Sequence, residues 1–113
     1  DIAKAVQTHA EGNGYGVVRE LVGHGIGRKM HEDPEVPNFW DDARFGRGAR
    51  LEAGMTIAVE PMINKGTFRV YQLSDGWTIV TADGKPSAHY ENTVLITEGE
   101  PRLLTLHEEE QRA

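Results

Sequence analysis

"GHGIGRKMHEDPEVPNF", residues 23–39, sets one histidine among three alternating glycines and a second histidine ahead of an acidic run that contains two prolines. The preceding residues, 15–22, are rich in side chains that favour β-strands. A strand that enters such a glycine series would weaken, bend or admit another group close to its backbone. The pattern therefore predicts a strand that leads into a special turn carrying His24.

A helix is predicted before this segment, over about residues 1–12. Asp1 is a suitable N-cap residue, and the spacing of one helical face recurs until Gly12 and Gly14. The predicted face comprises Ile2, Ala5, Val6, His9 and Ala10. Because the chain opens on Asp1 and not on an initiator methionine, two interpretations stay open: it begins within a longer protein, or its N-terminus is processed.

Antiparallel strands are predicted after residue 54. In "MTIAVEPMI", residues 55–63, apolar residues alternate with Thr56, Ala58 and Glu60, so Glu60 would leave the strand on its uncrowded side. The turn signals "NKG", "SDG" and "ADG" separate this strand from "FRVYQL", "WTIVTA" and "SAHYENTVLIT". An antiparallel meander over residues 55–97 follows from that order. Within the last of these segments, His89, Glu91 and Thr93 would share a face.

The remaining segments have weaker signals. Residues 32–50 show no sustained period and predict a long surface loop. "RLLTL" predicts a short final strand, and residues 107–113 predict a solvated acidic tail. Residues 1–106 would then form the folded part, of class α+β.

Composition narrows the class of protein. A chain of 113 residues with 38% apolar and 27% charged residues is typical of one soluble globular domain. A net charge of −6 without a Lys/Arg cluster argues against nucleic-acid binding. The sequence has neither a long apolar run nor a secretory signal, which predicts a cytoplasmic protein that does not enter a membrane. Since there are no cysteines, any metal must be held by N and O ligands.

Three residues suit such a metal site: His24, Glu60 and Glu91. Ions of the Mn, Co, Fe and Zn group accept imidazole and carboxylate ligands that converge from several segments. Taken singly, each has a plainer interpretation, a hydrogen-bonded histidine or a solvated glutamate. His31 would share a pocket with His24 only if the chain bends between them, and otherwise it is a surface residue. Met62 and Trp77 would line a pocket or pack in the core.

Four segments together resemble the C-terminal half of type I methionine aminopeptidases. They are "GHGIGRKMHEDPEVPNF", "LEAGMTIAVEPMI", "DGWTIVTADGKPSAHYENTVLIT" and the opening helix. The resemblance implies half of a pita-bread fold, with an antiparallel sheet and an N-terminal helix. It further implies a metalloaminopeptidase that removes the initiator methionine from nascent polypeptides at a dinuclear metal site.

The resemblance also implies roles for individual residues. His24, Glu60 and Glu91 match metal ligands, and Glu60 would relay a proton to the leaving amine. His31 would bind substrate and stabilise the developing oxyanion. Met30, Met62 and Trp77 match positions near the methionine pocket, and Ser87 matches a position near a monovalent-cation site.

The family's other two metal ligands, both aspartates, and a further histidine belong to its N-terminal half, which residues 1–113 do not resemble. We therefore expect this chain to bind at most one ion, weakly, and to have little activity alone. Its exposed seam would bind the N-terminal half or a second copy. Asn92 stands where many relatives have His, and we expect this difference to affect only details of the site.

Two alternatives remain. Another pita-bread peptidase, such as an Xaa-Pro aminopeptidase, would share the fold but prefer different peptides. A noncatalytic pita-bread binding module would need no metal. The retained His24, His31, Glu60 and Glu91 argue against a binding module, because binding alone does not require an oriented set of N and O donors.

Overall fold

The computed structural model describes residues 1–107, so residues 108–113 of the predicted acidic tail lie outside it. The N-terminal helix is present as α1, Ile2–Gly12. Its buried residues are Ala3 and Ala10, whereas Ala5 and His9 of the predicted face are exposed. The face is rotated because the helix packs against a neighbouring strand through its smallest side chains. Asp1 occupies the N-cap position without a side-chain cap hydrogen bond.

Ten strands and a second short helix follow α1. They are β1 Gly16–Val17, β2 Gly23–Gly25, β3 Glu32–Val36, α2 Asp42–Phe45, β4 Thr56–Val59, β5 Met62–Asn64, β6 Val70–Gln72, β7 Ile79–Thr81, β8 Ser87–His89, β9 Asn92–Leu95 and β10 Arg102–Leu103. They form a three-stranded sheet β1-β5-β8, a five-stranded sheet β10-β9-β4-β2-β3 and a hairpin β6-β7. All the pairings are antiparallel, which agrees with the predicted α+β fold with an antiparallel sheet.

The predicted meander is wrong in its connectivity. Segment 55–63 leaves the five-stranded sheet as β4 and enters the three-stranded sheet as β5, with a break at Glu60 and Pro61. Segment 87–97 makes the opposite passage from β8 to β9, with its break at Tyr90 and Glu91. Proline cannot donate a ladder hydrogen bond, which favours the break at Pro61. The breaks lie side by side, since the Tyr90 amide donates to the Pro61 carbonyl at 3.3 Å.

The prediction of a long surface loop over residues 32–50 is also wrong. This segment contains β3 and α2, and its Phe39 is buried with Ala10 and Val17 in one of two apolar clusters. The strand escaped prediction because β3 is an edge strand, half exposed, where Pro34 is tolerated. Asp41 caps α2 by accepting hydrogen bonds from the backbone amides of the helix.

The glycine series is a strand and not the predicted turn. β2 lies between β3 and β4, with an irregular register between His24 and Gly25. A Cβ at Gly25 would stand 2.2 Å from the carbonyl oxygen of Asp33, so the glycine permits close approach of the neighbouring backbone. Of the outcomes expected for a strand that meets glycines, two are observed: close approach of a neighbouring backbone at Gly25 and a bend after β2.

A second apolar cluster, of Val36, Ile57 and Val94, holds the five-stranded sheet together. Ile57 is fully buried at the centre of that sheet. The chain runs from this core directly into the break at Glu60, which places a carboxylate at the edge of a rigid element. Among residues 1–107, no helix has the length and apolar character needed to cross a bilayer.

Candidate metal centre

His24 is held in a defined orientation on β2. Its Nδ1 lies 2.9 Å from the carbonyl oxygen of Gly25. Because a carbonyl oxygen only accepts hydrogen bonds, Nδ1 is the donor in this contact, and Nε2 is the ring nitrogen that points away from it. That Nε2 faces Oε2 of Glu60 at 3.3 Å. The imidazole of His24 and the carboxylate of Glu60 therefore face the same region, an arrangement suited to a shared cation.

Glu60 lies immediately after β4, with a side chain only 14% exposed. The side-chain amide of Asn38 donates to the Glu60 carbonyl oxygen at 3.4 Å, and Asn38 is fully buried. This contact anchors the backbone at the point where the chain leaves the sheet. Sequence reasoning missed Asn38 because a buried asparagine within a supposed surface loop gives no signal.

Glu91 completes a three-residue cluster with His24 and Glu60. One ligand atom from each of the three lies within 4.8 Å of the others. Burial raises the pKa of Glu60, and the adjacent Glu91 raises it further through its charge and a side-chain hydrogen bond. His24 and His89 act on this pKa in the opposite direction. Two carboxylates thus concentrate negative charge beside a fixed imidazole.

His31 lies against His24, with the ring centroids 4.1 Å apart and the planes inclined at 45°. The chain bends between them, as the shared-pocket interpretation of His31 requires. The bend follows the irregular register at the end of β2. His31 is exposed.

An open cleft of about 1060 Å³ lies against His24 and Glu60, whereas Glu91 is not among the residues that line it. Its lining includes His24, His31, Glu60, Met62, Trp77 and His89. Trp77 is 87% exposed and lies in the turn between β6 and β7, and Met62 lies on β5. The cleft thus offers an apolar wall on one side and donor atoms on the other.

Two residues that the resemblance associates with the site stand apart from this cleft. Met30 is 72% exposed and is not among the residues lining the cleft. Ser87 lies at the far end of β8, where its hydroxyl donates to the Ile63 carbonyl oxygen at 3.3 Å. This hydrogen bond links β8 to β5.

His89 received no role from the sequence, yet it reaches the cluster. Its Nε2 lies 3.9 Å from Oε1 of Glu60, and its side chain is 47% exposed. The signal that could have found it is its position two residues before Glu91, which places both side chains on one face of an extended segment.

Most of the chain matches one known protein family. The model of metallopeptidase family M24 matches residues 1–98. The chain belongs to metallopeptidase family M24. A metallopeptidase family agrees with the imidazole and two carboxylates assembled here, which fit a divalent ion.

Similar proteins within the M24 family are methionine aminopeptidases. The one from Clostridium perfringens is 62% identical over 106 residues, which is 94% of this chain and 41% of the relative. Methionine aminopeptidase 1 of Bacillus subtilis is 47% identical over 105 residues, again 41% of the relative. The chain therefore spans about two fifths of the length of the curated relatives it matches. The expected resemblance to part of a methionine aminopeptidase is confirmed.

Solved structures agree. Methionine aminopeptidase from Thermotoga maritima superposes with a TM-score of 0.86 at 46% identity, covering 95% of this M24 chain and 42% of that chain. The enzyme from Rickettsia prowazekii gives a TM-score of 0.85 at 42% identity, covering 94% and 42%. The predicted fold class, α+β and half of a pita-bread fold, is confirmed.

Proposed function

We propose that this chain supplies part of the active site of a methionine aminopeptidase, which removes the initiator methionine from nascent polypeptides. The observation that carries the proposal is that His24 on β2, Glu60 just after β4 and Glu91 just before β9 each bring one ligand atom to within 4.8 Å of the others. In this proposal these three residues hold a divalent ion of the Co, Mn, Fe or Zn group. When bound, such an ion activates water and polarises the scissile carbonyl.

The residues of this chain would divide the remaining work. Glu60 is placed to relay a proton toward the leaving amine. His31 stands over His24 at the mouth of the cleft and can donate to the oxygen that gains charge. Met62 and Trp77 form the apolar wall suited to a methionine side chain.

Completion of the site is proposed to depend on the rest of such an enzyme. The chain spans 41% of its Clostridium perfringens relative, and the resemblance attributes two aspartate ligands to the other part of the family's fold. Residues 1–113 should therefore release methionine slowly or not at all when assayed alone. One ion at most, held weakly, is expected in that state.

A chimera tests this function. The chain is fused behind the N-terminal portion of the Clostridium perfringens relative and assayed for release of methionine from a Met-Ala-Ser peptide with Mn²⁺ or Co²⁺. We expect activity in the chimera, its loss in Glu60→Gln and its retention in Glu52→Gln, since Glu52 is an exposed turn residue. A Xaa-Pro peptide serves as the second substrate.

Three results would contradict the proposal. Preferential cleavage of the Xaa-Pro peptide would assign a different peptidase activity. Methionine release that survives Glu60→Gln would remove Glu60 from the mechanism. Turnover by the 113-residue chain alone would refute its dependence on a second portion.

A further inference from the structure

The Glu60 carboxylate lies between two imidazoles. Its Oε2 is 3.3 Å from Nε2 of His24, and its Oε1 is 3.9 Å from Nε2 of His89. The two contacts use different oxygens, so the carboxylate is flanked on both sides. His89 belongs neither to the predicted ligand set nor to the residues for which the resemblance implies a role.

The distance from His89 to Glu60 is compatible with a shared ion. The ligand atoms that lie within 4.8 Å of one another belong to His24, Glu60 and Glu91, so the His89 ring would have to turn to reach the same ion. Metal bonds of about 2.0–2.1 Å to imidazole nitrogen and about 2.0–2.2 Å to carboxylate oxygen place two ligands of one ion no more than about 4 Å apart. Both Glu60 contacts fall within that limit. Glu91 follows His89 by two residues, so His89 at the end of β8 and Glu91 in the break before β9 lie close together along the chain.

The two histidines differ in how firmly they are held. His24 is 13% exposed, and its ring is oriented by the Gly25 carbonyl oxygen. His89 ends β8 and is 47% exposed, so its ring has room to turn toward the ion without disturbing the core. A fixed donor and an adjustable donor together can close around an ion that neither holds alone.

We propose that His89 is a fourth metal ligand in this chain. His24, His89, Glu60 and Glu91 would then form a complete four-donor site for a single divalent ion within residues 1–107. Two imidazoles and two carboxylates suit Zn²⁺ or Co²⁺ in a four-coordinate arrangement. The inference deepens the proposed function, because it rests on the cluster of His24, Glu60 and Glu91 as the metal site.

The test compares His89→Gln with His9→Gln in the 113-residue chain. His9 is an exposed histidine on α1, so its variant controls for loss of a surface imidazole. Zn²⁺ is titrated calorimetrically, and Co²⁺ is followed through its visible absorption, which reports ligand type and number. Circular dichroism verifies that each variant is folded.

We expect one ion per wild-type chain. Removal of an outer-shell partner typically weakens metal binding roughly 10- to 100-fold, so loss of a direct ligand in His89→Gln should cost at least about tenfold. The Co²⁺ spectrum should change in His89→Gln and stay unchanged in His9→Gln.

Other outcomes overturn the inference in distinguishable ways. Unchanged affinity and spectrum in His89→Gln, with binding abolished in His24→Gln, would refute His89 while the proposed metal site stands. Weaker affinity with an unchanged spectrum would make His89 an orienting partner of Glu60 and not a ligand. Two tightly bound ions per chain would refute the single four-donor site. No binding by the wild type would also refute that site, while the proposed function would stand, because it allows the chain alone to hold no ion.

Discussion

The α-carbon of Gly23 lies against the carbonyl oxygen of Ala58, so closely that a Cβ at Gly23 would stand 2.1 Å from that oxygen. The next residue along β2, His24, is paired with Ala58 in the ladder. The close approach of β2 to β4 therefore fixes how far the His24 imidazole lies from Glu60, two residues beyond Ala58. A backbone contact thus determines the spacing of two candidate ligands.

Substitution of Gly23 by alanine should destabilise the fold. The new methyl would collide with backbone atoms of both neighbouring strands, because the Val36 carbonyl oxygen is also only 3.1 Å away. We expect a loss of about 1–3 kcal/mol or more in the free energy of unfolding, measured by urea denaturation. Gly12→Ala is the control, since nothing lies within 4 Å of its added Cβ. Equal midpoints for the two variants would contradict the close-packing argument.

The Glu60→Gln variant should be more stable than the wild type at neutral pH when metal is chelated. The folded-state pKa of Glu60 is raised above its ordinary value of 4.5 by burial and by Glu91. The stabilisation from the protonated Glu60 carboxyl is therefore fully present below pH 4.5. It is lost as the pH rises through the raised pKa of Glu60 in the folded state. Glutamine does not ionise, so the difference in free energy of unfolding should grow with pH across that window.

Urea denaturation at pH 4 and pH 7.5 measures this difference, with Glu52→Gln as the exposed control. A variant less stable than the wild type at pH 7.5 would show that the buried carboxylate is a stabilising group. A Glu60→Gln variant that is more stable than the wild type is the result expected when a protein keeps a functional carboxylate that lowers its stability.

Asp75 should stabilise the turn of the β6-β7 hairpin. Its Oδ1 accepts hydrogen bonds from the amides of Trp77 and Thr78, both at 2.9 Å, and its Oδ2 accepts from the Thr78 hydroxyl at 2.6 Å. The Thr78 hydroxyl and these amides lower the pKa of Asp75 below its ordinary value of 3.8. The stabilisation is present above pH 3.8 and is lost as the pH falls through the lowered value.

Amide hydrogen exchange at residues 77 and 78 checks this expectation. Asp75→Asn should speed exchange there at neutral pH and should remove the acid-dependent change seen in the wild type. Glu98→Gln, in a separate exposed turn, should leave exchange in the hairpin unaltered. Identical protection in Asp75→Asn and wild type would count against a capping role.

Trp77 should report occupancy of the cleft. It is 87% exposed and lines the cleft, whereas Trp40 lies elsewhere and donates its indole N–H to Asp42. In a Trp40→Phe background, saturating L-methionine should alter Trp77 emission because the ligand replaces water around the indole. The reciprocal variant, Trp77→Phe, should give no response. A response that persists in Trp77→Phe would place the methionine elsewhere.

Much of the fold followed from local patterns. α1 and the turns at residues 74–76 and 82–84 follow from periodicity and turn chemistry, which act between near neighbours in the chain. β3 and the paired breaks at Glu60 and Glu91 did not, because an edge strand and a passage between sheets depend on partners distant in sequence. Short strands of two to five residues carry too few alternations to reveal such partners.

The sequence by itself determined which donors exist: the residue types of His24, Glu60 and Glu91 and their family pattern nominate a metal site without coordinates. Only the tertiary structure decided that His31 lies over His24, that Met30 lies outside the cleft and that His89 faces the second oxygen of Glu60. The physical reason is that residue type and local spacing are properties of the chain. Which side chains meet across 3–4 Å is set by strand register and backbone packing between distant segments.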